Sequence, residues 1–215
     1  DVVVTNGGKQ ANYNVMMALL NPGDEVLIPA PYWLSYPEMV KLAEGKPVIV
    51  ETKAENKFKA TVDDLRKKLT PKTKLLILNS PSNPTGTTYT RAEFEAIGKW
   101  VAKEAPGVWV LSDEIYDRIL FGTEPFVSFL DAAPELRNRA ITVNGLSKSA
   151  AMTGWRIGWT LTTPELTQAL LTLQGQSTSG INSLAQYAAI AALDLAEEKF
   201  AEMVAAFKRR RRMAL

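Results

Sequence analysis

Cysteine and histidine are both absent from the 215 residues. Without cysteine there are no disulfides and no thiol nucleophile. Without histidine there is no serine–histidine triad, and nearly every zinc or iron site is excluded, so no metal ligands are expected. General acid–base work then falls to Lys, Asp, Glu or Tyr. An excess of one charge is missing too: the formal net charge is +2, with the basic residues interleaved among 23 acidic ones, which argues against a nucleic-acid partner. The basic run 208–212 reads instead as the solvated end of a helix, where cations suit the dipole. The longest uncharged stretch, 166–193, is too rich in Gln, Ser, Thr and Gly to span a bilayer, so no membrane partner is expected. Neither a Walker pattern nor a G-x-G-x-x-G occurs after the first strand. No signal peptide is visible and the chain opens on Asp1 without an initiator Met, so a fragment or processed chain is expected, cytoplasmic by default.

What is present is an alternation of two periods. Short apolar runs read as strands at 2–5, 25–29, 48–51, 74–79, 108–112, 139–143 and 156–160. Helical patterns fall at 9–20, from just after Trp33 to Ala43, and at 62–69, 91–103, 164–176 and 183–212, with a short helix inside 125–133. Strand–helix alternation predicts one α/β domain over 1–215: a three-layer α/β/α sandwich around a mainly parallel, seven-stranded sheet.

The polar residues that interrupt this pattern cluster by position. Gly7-Gly8 turns the first strand into a helix, a geometry that presents backbone N–H groups to an anion. Trp33 lies just past the second strand. Asn83 sits in Ser80-Pro81-Ser82-Asn83-Pro84-Thr85-Gly86, a rigid loop with a candidate cis Asn-Pro bond. Asp113 ends an apolar strand, where an unpaired carboxylate is costly, and Ile115 and Tyr116 follow. Lys148 comes shortly after the strand at 139–143, with Arg156 eight residues on. A lone lysine in such a place is usually a solvated charge; its other use is as a nucleophilic amine. Gly7-Gly8, Trp33, Asn83, Asp113, Tyr116 and Lys148 all lie just beyond the carboxyl ends of strands, the edge where open α/β sheets bind ligands.

One cofactor gives each of them a physical task. If Lys148 forms an imine with an aldehyde, Asp113 would keep a pyridine nitrogen protonated and the ring an electron sink. Tyr116 and Asn83 would hydrogen-bond a phenolate oxygen. Trp33 and Ile115 would cover the two ring faces, and the Gly8 and Lys9 N–H groups with Arg156 would hold a phosphate. That cofactor is pyridoxal 5′-phosphate.

The segment Gly145-Leu-Ser-Lys148-Ser-Ala-Ala-Met-Thr-Gly154-Trp-Arg156-Ile-Gly158 resembles the lysine-attachment signature of class I, fold type I aminotransferases. Asn83-Pro-Thr-Gly86, Asp113-Glu-Ile-Tyr116, Gly7-Gly-Lys9-Gln10 and Pro31-Tyr-Trp33 are similar to the family's other motifs, in the same order. The likeness covers essentially the whole chain and is nearest the bacterial aspartate aminotransferase branch. The resemblance implies a Schiff base at Lys148, which also carries the proton between substrate Cα and the cofactor, with Asp113 and Tyr116 beside it. Amino acid and 2-oxo acid substrates and a homodimer are implied as well, the link 177–182 reaching the partner's phosphate. It further implies that this is the cofactor-binding large domain, with the small C-terminal domain and the N-terminal arm absent. Three departures stand out: Ala150 where an aromatic is usual, Gly145 where some members have a phosphate-binding serine, and Ile181 in place of a common proline. A scaffold without turnover, or racemase or lyase chemistry on the same cofactor, remain the alternatives.

Overall fold

A computed structural model describes residues 1–215. Its strands are β1 (Val2–Thr5), β2 (Glu25–Pro29), β3 (Lys46–Val50), β4 (Thr73–Asn79), β5 (Trp109–Asp113), β6 (Ala140–Gly145) and β7 (Gly158–Leu161). They form one sheet in the order β1-β7-β6-β5-β4-β2-β3. Only the pairings of β7 with β1 and β6 are antiparallel. The seven-stranded, mainly parallel α/β sheet expected from the sequence is therefore what the chain forms, with β7 as its one reversed member. The helices are α1 (Gly8–Leu19), α2 (Ser35–Leu42), α3 (Val62–Arg66), α4 (Arg91–Glu104), α5 (Phe129–Ala132), α6 (Leu146–Ser149), α7 (Pro164–Ser177), α8 (Ser183–Leu193) and α9 (Glu197–Ala214). None is long and apolar enough to cross a membrane.

The central strands are apolar on both faces because both are covered. Side chains alternate across a strand, so Leu76 and Leu78 of β4 and Val110 of β5 pack with Phe94, Ile97 and Val101 of α4 and with Phe129. Leu75, Ile77 and Leu111 point the other way, onto Val15 and Met16 of α1, Tyr36 and Val40 of α2, and Leu166 and Leu170 of α7. Helix starts are marked locally: Thr90 and Glu93 make a capping box for α4, and Thr61 and Asp64 make one for α3.

Several element boundaries differ from the sequence expectation. The strand expected at 156–160 starts at Gly158, because Arg156 has a left-handed backbone (φ 57°) that no strand accepts. The helix expected over 183–212 is two helices, α8 and α9: the chain leaves the helical region at Ala196, and Glu197 and Glu198 open the new first turn, where acids suit the dipole. The third helix ends at Arg66 rather than 69, and β3 begins two residues early. The Asn83-Pro84 bond is cis, as are Ala30-Pro31 and Ser80-Pro81.

The reversal of β7 is what builds the site edge. Running antiparallel, β7 brings its beginning, not its end, to the carboxyl ends of its neighbours. Gly158 stands opposite Thr5 of β1 on one side and Gly145 of β6 on the other. A side chain at 158 would put Cβ 2.5 Å from the Gly8 nitrogen, so the close approach of these backbones requires glycine. The Gly7-Gly8 turn, Arg156 and the turn bearing Lys148 thereby converge.

Candidate functional site

A cavity of about 260 Å³ opens at this edge, small among ligand pockets. All nine sequence-derived candidates line it. Gly8 and Lys9 come from the first turn of α1, Arg156 from the α6–β7 connection, Trp33 from the segment before α2, and Asn83 from the proline loop. Asp113, Ile115 and Tyr116 come from the end of β5, and Lys148 from α6. A second, wider space of about 700 Å³ shares Asn83, Tyr116 and Lys148 and runs out under Phe121 and under Phe207 of α9.

Asp113 is the buried charge of the cavity. Its Oδ2 accepts from Tyr36 Oη at 2.8 Å and from Asn12 Nδ2 at 3.0 Å, and its Oδ1 accepts from the Ile115 N–H at 3.2 Å. Burial raises its pKa above the usual carboxylate range and the three donors pull it back. The same burial, with the Asp113 charge alongside, holds the Tyr36 hydroxyl well above its ordinary pKa, so Tyr36 is a donor at neutral pH. Tyr116 is also raised, by burial first and by Asp113 second. Its hydroxyl accepts a long bond from Asn83 Nδ2, 3.4 Å. Asn79 joins the pieces: its Nδ2 donates to the Asp113 carbonyl at 2.9 Å and its Oδ1 accepts from the Asn83 N–H at 2.8 Å.

The opposite end of the cavity is positive. Arg156 donates to the Thr153 and Asn6 carbonyls at 2.8 and 3.1 Å, which fixes the guanidinium across the Gly7-Gly8 turn. Gly7 has φ 87°, and a Cβ there would come within 2.4 Å of Arg156 Nη2, so only glycine leaves room for the pair. The N-terminal turn of α1 points unpaired N–H groups the same way. Lys9 Nζ lies 4.9 Å from the Trp33 ring centroid, a cation–π contact. Lys148 is half-buried, its Nζ 5.9 Å from the centre of the Tyr116 ring.

Three side chains of the site escaped the sequence reading. Asn12 left a signal: it is the polar residue one turn beyond Gly8 on the apolar face of α1. Asn79 left another, as the last residue of β4, paired in register with Asp113. Tyr36 left none, since an aromatic on a helix facing the core reads as packing.

A buried carboxylate, an anion cradle and Lys148 lining the same cavity mark a ligand site at the strand edge of an α/β sheet. The chain belongs to the class I and II aminotransferase family, whose model matches residues 1–214. It is 45% identical over 210 residues to an aspartate/prephenate aminotransferase of Nitrosomonas europaea and 47% identical over 210 to an aspartate aminotransferase of Geobacillus stearothermophilus. In both cases 98% of this chain and 53% of the other are covered. The fold matches the crystal structure of an aspartate aminotransferase from Rhizobium meliloti with a TM-score of 0.95 at 42% identity, covering 99% of this chain and 53% of that one. An aromatic aminotransferase from Pyrococcus horikoshii OT3 gives 0.94 at 37%, covering 99% and 57%. The chain thus spans about half the length of the relatives it matches.

Pyridoxal 5′-phosphate is the cofactor of this family. The residues present fit it: Asp113 keeps acceptor capacity on Oδ1, where it has one donor, and the glycine at 7 lets the Arg156 guanidinium lie against the turn where a Cβ would stand.

Proposed function

We propose that residues 1–215 are the cofactor-binding domain of a pyridoxal-phosphate-dependent aminotransferase that moves an amino group between an amino acid and a 2-oxo acid. The observation that carries this is the sharing of one small cavity by Lys148, the buried Asp113 and the Gly8–Arg156 cradle. Aspartate is the first candidate substrate, on the names of the relatives.

When bound, the cofactor supplies an electron sink for negative charge that develops at the substrate Cα. Lys148 Nζ is the covalent attachment point and, once freed, the base that takes the Cα proton. Asp113 holds a proton on the ring nitrogen. Asn83 Nδ2 and the Tyr116 hydroxyl donate to the phenolic oxygen. The Gly8 and Lys9 N–H groups and Arg156 bind the phosphate. Trp33 and Ile115 enclose the ring faces and exclude water. The wider space beside Lys148 gives the substrate its approach.

A homodimer is part of the proposal. Leu184, Tyr187 and Ile190 leave an exposed apolar stripe along α8, which packs through Ala185 and Ala189 onto the Lys148 turn and so lies close to the site.

Spectral titration of the purified chain tests the reading. Added cofactor should give a visible absorption band that Lys148→Ala abolishes, and aspartate should discharge it, with recovery on adding a 2-oxo acid. A band that survives in Lys148→Ala sinks the attachment. Inverted amino acid without discharge would mean racemisation, and a stable band indifferent to amino acids a scaffold without turnover.

A further inference from the structure

Asn12 is 1% exposed, on the buried face of α1 between the apolar Ala11 and Val15. Its Nδ2 donates twice, to the Gly8 carbonyl at 2.9 Å and to Asp113 Oδ2 at 3.0 Å. Its Oδ1 is buried and has no partner. Turning the amide over would set Oδ1 against two acceptors, so those partners dictate its orientation.

An unpartnered buried carbonyl oxygen is destabilising, and an apolar side chain of similar size at this position would avoid it. What offsets it is the work of Nδ2. The Gly8 carbonyl is already served by the helix ladder of α1. The bond to Asp113 is different: it is one of only two to Oδ2, and it joins the carboxylate end of the cavity to the turn that forms the anion cradle.

We propose that Asn12 is a positioning residue, which fixes the orientation of the Asp113 carboxylate and ties it to the first turn of α1, so that the two ends of the cofactor site are held in register. The inference rests on the cavity being a pyridoxal phosphate site. Asn12 also favours the ionised carboxylate, as do Tyr36 and the Ile115 N–H. The titratable groups that bear on Asp113 are Tyr36 from α2 and Tyr116 from the turn after β5, and Lys148 from α6 lines the same cavity. Lys9 and Arg156 stand at the far end, and no second carboxylate lines the cavity.

The test compares Asn12→Leu with the wild type, and with Tyr36→Phe, which removes the other donor to Oδ2. In cofactor-free protein the Asp113 carboxyl, followed by carbon NMR, should titrate about one pH unit higher in Asn12→Leu. The cofactor dissociation constant, followed by tryptophan fluorescence, should rise roughly tenfold. The thermal midpoint should change little, because losing the bond to the carboxylate and removing the unpartnered oxygen act in opposite directions. Tyr36→Phe should shift the first two in the same direction. A purely structural Asn12 predicts the reverse pattern: a lower thermal midpoint with the carboxyl titration and cofactor affinity unchanged, which would overturn the proposal. Asn12→Ala carries the same readouts if leucine is not accommodated. If the wild type binds no cofactor, the functional reading fails, while the carboxyl titration still decides whether Asn12 governs Asp113.

Discussion

Asp113 and Glu114 are neighbours in sequence, both 4% exposed, and each accepts hydrogen bonds from three donors. They lie on opposite faces of the sheet because side chains alternate along β5. Asp113 follows Leu111 onto the α1–α2 face and reaches the cavity. Glu114 follows Ser112 onto the α4 face, where its Oε1 gathers the Ser112 and Ser128 hydroxyls, each at 2.9 Å, and the Phe129 N–H at 3.0 Å. One carboxylate faces a ligand space with acceptor capacity to spare; the other anchors α5 to the end of β5. Burial raises both pKa values, Glu114 to about 7 with the Asp117 charge adding to the effect. Burial and a perturbed pKa are therefore not by themselves marks of catalysis. What separates the two is the face, and with it access to Lys148.

Four variants sharpen or break this comparison. Asp113→Asn should lower kcat about 10²- to 10³-fold, as loss of a preorganised electrostatic partner does, with little change in the unfolding midpoint. Glu114→Ala should do the opposite: it strands three donors and should cost about 3 kcal/mol in denaturant unfolding, while the cofactor dissociation constant stays put. A loss of cofactor affinity at unchanged stability would erase the distinction. Next is the pH dependence. The folded pKa of Glu114, about 7, lies above its ordinary value of 4.5, so the folded chain binds that proton more tightly than the unfolded chain. The resulting stabilisation is complete below pH 4.5 and disappears as pH rises through 7. Between pH 5 and 8 the wild type should lose on the order of 2 kcal/mol that Glu114→Gln retains, measured by urea unfolding at each pH. The smallest effect is expected for Ser128→Ala, about 1 kcal/mol for one of the three donors, with no change in cofactor affinity.

Much of the scaffold was legible because the signals are local. The run Leu75–Leu78 is apolar at every position, which marks a strand covered on both faces, and Thr90 with Glu93 announces α4. The anion cradle was legible as Gly7-Gly8 after a strand. The errors arose where a local pattern had two solutions. The break at Ala196 was hidden by helical periodicity on both sides, and Arg156 was read into a strand because nothing at that residue alone reveals a left-handed backbone. Asn12 and Tyr36 were missed for a different cause. Each is defined by a bond to Asp113, across 101 and 77 residues of chain.

What the sequence set was the kind of group at each place: no thiol and no imidazole anywhere in the chain, and Lys148, Arg156, Asp113 and the Gly7-Gly8 turn each beside an apolar segment. Those are properties of residue types and of spacing along the chain, and backbone periodicity converts spacing into strand ends. The tertiary structure alone decided how Asp113 is held, by Asn12 and Tyr36, and what its neighbour Glu114 does on the opposite face. It also decided that Arg156 meets Gly7 at all, because the antiparallel β7 carries its first residues to the carboxyl edge of the parallel strands. Strand order, direction and side-chain partners depend on packing between segments far apart in sequence, and no local pattern encodes them.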